Sequence, residues 1–367
     1  MDLYILNFEI ALVYRVHRTK MTEQSSREDA LLEAEWALEC GNLERTSSNY
    51  DKALEMYGQA IRIYQHHGDR HGEGKALGQA AGVLTVRNKL DEALQHYRQA
   101  LTIHQETGNQ RQEGETLGNM GIALRHKGDW DQAIVHYQRA LTIHQALNNK
   151  RYEGITLIGL GTAYRQMGRY QDARETYNQA LEVSRSFGDR RSEGAIQNNL
   201  GLIARVAADD ITAIAHFQQA LLIHQECGNV ENEAITLGNI GDSLMELGRA
   251  DEAKNHFEQA IDLGRRIDFL LPASVFAGSL ALLLSQTGQS DRALQLLSGA
   301  EDVLEKHSLE HAKFLCKATM VYARCGHADD ARQCMERADA LAATLDATAN
   351  QGLRKLLQGA QESTQSL

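Results

Sequence analysis

A pattern that returns every 40 residues restricts this chain more than any other feature of it. The stretch from Glu113 to Ala140, EGETLGNMGIALRHKGDWDQAIVHYQRA, is the type unit. Its Ala133, Tyr137 and Ala140 come back as Ala173, Tyr177 and Ala180, then as Ala213, Phe217 and Ala220, then as Ala253, Phe257 and Ala260. Counting backward gives Ala93, Tyr97 and Ala100, and before them Ala53, Tyr57 and Ala60. A fixed period of this length marks a stacked-repeat architecture, in which each unit buries its apolar face only against its neighbours.

Within one unit the periodicity is helical. Leu117, Met120, Gly121 and Leu124 share one face at i, i+3, i+4, i+7 spacing, which gives a first helix its core stripe. Gly128 stands where a left-handed terminating residue is wanted, and Asp129 can cap the helix that follows. That second helix places Ala133, Tyr137 and Ala140 together. Small residues let two helices approach closely, and the tyrosine fills the space beside them. The unit closes on Gly68-Asp69, Gly108-Asn109, Asn148-Asn149, Gly188-Asp189 or Gly228-Asn229. Asn148 suits the first place because asparagine tolerates positive φ.

Composition agrees with this. One proline and 6% aromatic residues argue against a β-sandwich or barrel, and helix formers dominate. The expected fold class is all-α, with far more helix than the usual third. A net charge of −11 and a pI near 5.8 favour a soluble chain and disfavour nucleic acid as partner, because phosphate binding needs a basic face. Cys40, Cys227, Cys316, Cys325 and Cys334 form no CxxC pair and are odd in number. They read as free thiols in a reducing compartment, which places the protein in the cytoplasm.

The segment from Asp2 to Lys20 is the compositional oddity. Its apolar run is broken by Asn7 and Glu9, and its basic residues follow the run instead of preceding it. A signal peptide needs the reverse order and a membrane-spanning helix needs about 20 apolar residues. Two readings stand: a frayed extension, with Met21 as the true start, or a weak surface- or partner-binding helix. The expected division is therefore an extension over 1–27, a repeat region over 28–345 and a C-terminal part over 346–367.

Gly121, Gly128, Trp130, Ala133, Tyr137 and Ala140, matched by Gly161, Gly168, Tyr170, Ala173, Tyr177 and Ala180, resemble the tetratricopeptide repeat. The resemblance covers nearly the whole chain. It implies a right-handed α-solenoid of about eight helix-turn-helix repeats, and says less about function, since that family is a scaffold for many partners. The family's usual period is about 34 residues, so these units are longer, and the proline that commonly closes each family repeat is missing. Pro272 sits instead at the start of a helix, where it is tolerated. Long units with an N/D-x-x-x-E-G junction (Asp69 to Gly74, Asn109 to Gly114, Asp189 to Gly194) are similar to the Pins/LGN spindle-orientation scaffolds, and kinesin light chains also have long repeats.

Eight units centre on Ala53, Ala93, Ala133, Ala173, Ala213, Ala253, Ala293 and Ala331. The ends are degenerate: Ser48 replaces the glycine, Leu297 replaces the aromatic and the last step is 38 residues. Terminal units of solenoids are usually atypical because one side faces water. The segment from Thr348 to Gln361 is expected to form a capping helix and Glu362 to Leu367 a disordered tail.

No catalytic constellation emerges, and the expectation is a protein that is not an enzyme and holds neither cofactor nor metal. His104, His144 and His224 recur on the face of the alanines, but Tyr64, Ser184 and Gly264 take the matching places, which a metal ligand would not accept. His96, His136, His216 and His256 lie on the polar side, a full unit apart, and His66 to His71 reads as a turn. The glycines around Leu117 to Gly121 lack a preceding strand and a Gly-Lys-Ser/Thr ending, so no phosphate loop is expected.

The informative face is the side of the first helices opposite the core stripe. It carries Glu115, Gly118, Asn119, Ile122, Arg125 and His126, then Ile155, Ile158, Gly159, Thr162, Arg165 and Gln166. It continues through Ala195, Asn198, Asn199, Leu202, Arg205 and Val206, then Ile235, Gly238, Asn239, Asp242, Met245 and Glu246. A solvated helix face would be rich in Glu and Lys. Gly78, Gly118, Gly238 and Gly278 would let another backbone approach. Asn119, Asn199 and Asn239 offer amide donors and acceptors, and Arg125, Arg165 and Arg205 form a basic ladder suited to carboxylates.

In tetratricopeptide proteins this side lines the concave groove. The resemblance therefore implies peptide-binding residues Asn119, Ile122, Arg125, Ile155, Ile158, Arg165, Asn198, Asn199, Leu202, Arg205, Ile235 and Asn239. The competing reading is that this face packs against neighbouring first helices, with arginine paired to glutamate across units. The leading expectation is an adaptor holding a peptide segment of a partner protein, one with an acidic stretch. The alternative is a regulatory sensor whose superhelix changes when it binds a small peptide or ligand.

Overall fold

The computed structural model describes residues 27–345 and 351–365. The expectations for residues 1–26 of the extension, for 346–350 and for the last two residues of the tail, 366–367, lie outside the described residues. All regular structure among the described residues is helical. The chain divides between Tyr152 and Glu153 into two units.

Unit 1 holds three hairpins: α1 (Arg27–Thr46) with α2 (Tyr50–His67), α3 (Arg70–Val86) with α4 (Leu90–Glu106), and α5 (Gln110–Lys127) with α6 (Trp130–Ala146). Unit 2 begins within α7 (Lys150–Gln166), which pairs with α8 (Tyr170–Ser186). Then come α9 (Arg190–Val206) with α10 (Asp210–Glu226), α11 (Val230–Glu246) with α12 (Ala250–Arg266), and α13 (Leu270–Gln286) with the short α14 (Ser290–Ser298) and α15 (Glu301–Leu304). A last hairpin, α16 (Ser308–Arg324) with α17 (Ala328–Thr344), precedes a single helix, α18 (Gln351–Gln365). The eight alanines that centre the repeats are all sealed from solvent.

The aromatic of each second helix lies against the glycine of its own first helix. A Cβ added at Gly41, Gly121, Gly161, Gly201 or Gly241 would meet the ring of Tyr57, Tyr137, Tyr177, Phe217 or Phe257 at 2.5 to 2.8 Å. Glycine is therefore required there by contact. Each such ring is 0–2% exposed, and complete burial of a large apolar side chain stabilises by about 1.5–3 kcal/mol.

The turns follow equally local chemistry. Gly128 ends α5 at φ 84° and Asp129 then accepts from the backbone N–H of Gln132 at 3.3 Å. Asp69, Asn109, Asp189, Asp209 and Asn229 make the same cap, which satisfies one otherwise orphaned helix donor. Where glycine is absent, Ser48, Asn88, Asn148, Ala208 and Asp268 take the left-handed conformation. Alanine is the least suited of these, having neither a free Cα nor a side-chain hydrogen bond to offset the clash.

Two departures concern the C-terminal end. The second helix of the Ala293 hairpin is interrupted after Ser298, leaving nine residues in α14 and four in α15. The 38-residue last step registers that interruption. Helix α18 continues through Glu362–Gln365, residues expected from the sequence as a tail.

Candidate functional site

The junction motif N/D-x-x-x-E-G explains itself once the hairpins are placed. Its glutamate lies beside the end of the preceding second helix, buried at Glu73 and Glu193 and half-buried at Glu113: Glu73 accepts from Gln65 Nε2 at 3.0 Å and Arg70 Nη1 at 2.7 Å. Glu193 accepts from Arg185 Nε at 2.8 Å and Arg190 Nη1 at 2.5 Å. Burial works to raise the Glu193 pKa, but its two arginines outweigh that and hold it below the usual carboxylate value. The glycine admits a histidine ring: a Cβ at Gly74, Gly114 or Gly194 would lie 2.7 to 2.8 Å from Cε1 of His104, His144 or His224. Those three histidines are at most 1% exposed and belong to hairpin packing. Burial pushes the pKa of His104 and His224 down.

With glutamate and histidine assigned to the junction, the polar groups left over lie on the outward side of the first helices. In unit 1, Asn119 is exposed on α5, and Ile122 and Arg125 are half-buried. Asn119, Glu115, Gly78, Gln79 and Lys75 line a groove of about 310 Å³ at α3 and α5. Gly78 is open, with no atom within 4 Å of an added Cβ. Arg125 Nη2 lies 3.2 Å from His126 Nε2.

In unit 2, Ile155 is 43% exposed and Ile158 is half-buried on α7. Arg165 is half-buried, and its Nε is buried with no hydrogen-bond partner among the described residues. On α9, Asn198 Oδ1 accepts from Asn239 Nδ2 of α11 at 3.1 Å and from Thr236 Oγ1 at 3.4 Å. Asn199 Nδ2 donates to its own helix at the Ala195 carbonyl, 3.0 Å away. Arg205 pairs with Asp242 of α11 at 3.3 Å, and both are partly exposed. Leu202 and Ile235 are half-buried.

The structure thus brings Asn198, Asn239, Arg205 and Asp242 together across α9 and α11. Asn239 is only 8% exposed, so its amide serves the neighbouring helix. Gly238 and Gly278 are filled as well: an added Cβ would meet the Phe276 ring at 2.2 Å and the Phe314 ring at 2.9 Å. Their lack of a side chain makes room for a neighbour's ring instead of an incoming backbone. Arg205 follows the competing reading in kind, with aspartate in place of glutamate.

The polar row also extends further than the sequence reading carried it. Stepping on from Asn239 by 40 and then 38 residues reaches Ser279 and Lys317. Lys317 Nζ donates to Ser279 Oγ at 2.6 Å. Burial pushes the Lys317 pKa down, while the Asp242 and Glu310 carboxylates oppose the shift. The signal was the repeat register itself, continued through the shortened last step.

The cysteines are all free thiols, Cys316 and Cys334 being buried with pKa values pushed up by that burial to about 12 and about 11. Among the described residues, no helix is long and apolar enough to cross a membrane.

Family comparison adds to this geometry. A tetratricopeptide repeat model matches residues 32–106, 112–186 and 192–266, and a second such model matches 239–306. No curated protein matches the chain in sequence. Among solved structures, the apo form of the quorum sensor NprR from B. thuringiensis is similar at TM-score 0.69 and 14% identity, covering 92% of this chain and 94% of that one. Aspartyl phosphate phosphatase F from Bacillus subtilis aligns at TM-score 0.61 and 16% identity over 84% and 83% of the two chains. A Rap protein complexed with competence and sporulation factor aligns at TM-score 0.59 and 14% identity over 92% and 99%. At such identities the likeness is one of fold.

Proposed function

Because this chain belongs to the tetratricopeptide repeat family, we propose that it is a non-catalytic binder that holds a peptide segment of a partner protein on its first-helix faces. The carrying observation is the polar row of unit 2, where Asn198, Arg205 and Asp242 remain partly exposed beside apolar Leu202 and Ile235. Amides at helical spacing match the donors and acceptors of a peptide backbone. The buried, unpaired Nε of Arg165 and the desolvated ammonium of Lys317 favour a carboxylate-bearing segment. In unit 1 the open Gly78 and exposed Asn119 offer the same chemistry beside a groove. The contact residues of this reading are Asn119, Ile122 and Arg125, and separately Ile155, Ile158, Arg165, Asn198, Asn199, Leu202, Arg205 and Ile235, with Asn239 positioning Asn198. Free, buried thiols favour a cytoplasmic setting.

The experiment is selection of binders from a displayed library of random peptides, followed by charge reversal at Arg125, Arg165 and Arg205. The selected peptides should be acidic, and the triple reversal should weaken them by about tenfold or more, the equivalent of ~1.4 kcal/mol. Unchanged affinity would remove the arginines from the site.

A second reading is favoured by two of the similar structures, one a quorum sensor and one a complex with competence and sporulation factor. In that reading the bound peptide alters how hairpins stack, and the altered shape is the output. Small-angle scattering of the chain with and without a selected peptide separates the two, since an adaptor should scatter alike in both states.

A further inference from the structure

The solitary helix α18 is not stacked as the next rung of the repeat. Between hairpins, a regular first helix meets the second helix before it, as α3 does α2 and α11 does α10, whereas α16 already meets α13 more than α14 or α15. Helix α18 instead packs chiefly on α16, the first helix of the last hairpin, and less on α17. Its apolar residues Leu353, Leu356, Leu357 and Ala360 stand at i, i+3, i+4, i+7 spacing. Leu353 and Ala360 are fully buried, and all four join the cluster that contains Met245, Leu282 and Met320.

Those three residues occupy the register of the polar row. Leu202 advanced by 80 residues is Leu282, and by a further 38 is Met320; Arg205 advanced by 40 is Met245. A Cβ at Gly359 would lie 3.4 Å from Met320 Sδ, which puts α18 against that face. Lys355 Nζ reaches 3.0 Å from Glu246, the last residue of α11, 109 positions earlier. Helix α18 therefore packs on α16 and reaches the end of α11 through this one ion pair. Leu202, at the same register two units earlier, is half-buried, whereas Leu282 is 6% exposed.

We propose that the first-helix face formed by α11, α13 and α16 is a docking site for an amphipathic helix, which α18 fills in cis. A partner helix with two leucine pairs at this spacing and a lysine facing Glu246 displaces it. The proposal deepens the peptide-binding reading by naming a helical, apolar class of ligand for this end, and it rests on that reading for the existence of an outside displacer. The balance is set to be reversible. A helix of 15 residues is marginal by itself, and the Lys355–Glu246 pair is exposed at both partners, so it contributes little. Tethering supplies the rest, by keeping the local concentration of α18 high.

The test uses the full chain carrying Leu353→Asp and Leu357→Asp, and a labelled synthetic peptide of residues 351–365 with the natural sequence. The variant should bind the peptide saturably, and the unaltered chain should bind it at least about tenfold more weakly because its site is filled. A peptide with Lys355→Glu should bind about two- to fivefold more weakly, and Glu246→Lys in the receiving chain should restore it. Hydrogen exchange should show α18 alone losing protection in the variant. No saturable binding, or loss of protection in α16 and α17 together with α18, overturns the proposal and leaves α18 a structural cap. Because the peptide is this chain's own, that outcome is independent of whether the random library yields any binder.

Discussion

Tyr177 lies so close over Gly161 that a single added methyl carbon would sit 2.8 Å from its ring. The pairing recurs along the chain and defines how near the two helices of a hairpin come. Overpacking of this kind typically costs about 1–3 kcal/mol, so Gly161→Leu should lower thermal stability markedly. Arg165→Ala, one helical turn further along the same helix, should cost little because it removes no ring contact of this kind. Gly78→Ala should even stabilise by about 0.5–1 kcal/mol, since that glycine faces open space. Melting curves of the three variants check the order, and equal losses from Gly161→Leu and Arg165→Ala would contradict it.

Ala208 holds a φ of 56° in a place where other hairpins use glycine. The left-handed conformation costs an L-residue about 1–2 kcal/mol, partly offset by the greater flexibility that glycine brings to the unfolded chain. Ala208→Gly should therefore raise stability by up to about 1 kcal/mol. A lower melting temperature would show that the turn is not strained.

Acid should loosen the molecule before its carboxylates titrate. Burial pushes His104, His126, His136, His216, His224 and His256 below the ordinary histidine value. The unfolded chain then binds more protons than the folded one just below about pH 6.5. Stability is thus full above that pH and declines as pH falls toward the depressed folded values. Carboxylates held down by arginines, such as Glu193, add their losses only at lower pH. Replacing His104 and His224 with Gln should flatten the slope of melting temperature against pH between about 5 and 6.5. An unchanged slope would place the proton uptake elsewhere.

Lys317 carries a desolvated charge beside Ser279. Burying an ammonium without an ion-pair partner costs free energy, so Lys317→Met, which keeps the stem, should keep or raise the melting temperature. The same variant should weaken acidic library peptides that bind unit 2. Loss of stability together with intact binding would make the lysine structural.

Architecture was open to reading because the repeat writes the same local contacts many times. Alanine, aromatic, glycine and cap recur at fixed offsets, and each is demanded by a neighbour within its own hairpin. The face chemistry was only half open. That Asn119 is exposed and Asn239 covered does not follow from their shared register position, because Asn239 is bonded to Asn198 of the neighbouring hairpin and the Phe276 ring fills the space at Gly238 beside it. Similarly, Gly78 and Gly238 match in register yet one is vacant and the other is filled from α13. The junction glutamate was visible as a motif without its reason, since its partners Gln65, Arg70, Arg185 and Arg190 vary between units. The 38-residue step marks a shortened last spacing without saying where the helix stops, and the course of α18 has no periodic signature, since both depend on contacts made once.

The interruption between α14 and α15 has a mechanical corollary. In a stack where every rung leans only on the adjacent ones, a shortened rung is the weakest rivet. Heat or pulling force applied to unit 2 should therefore peel away α16, α17 and α18 as one block, while the regular hairpins before Leu270 remain intact.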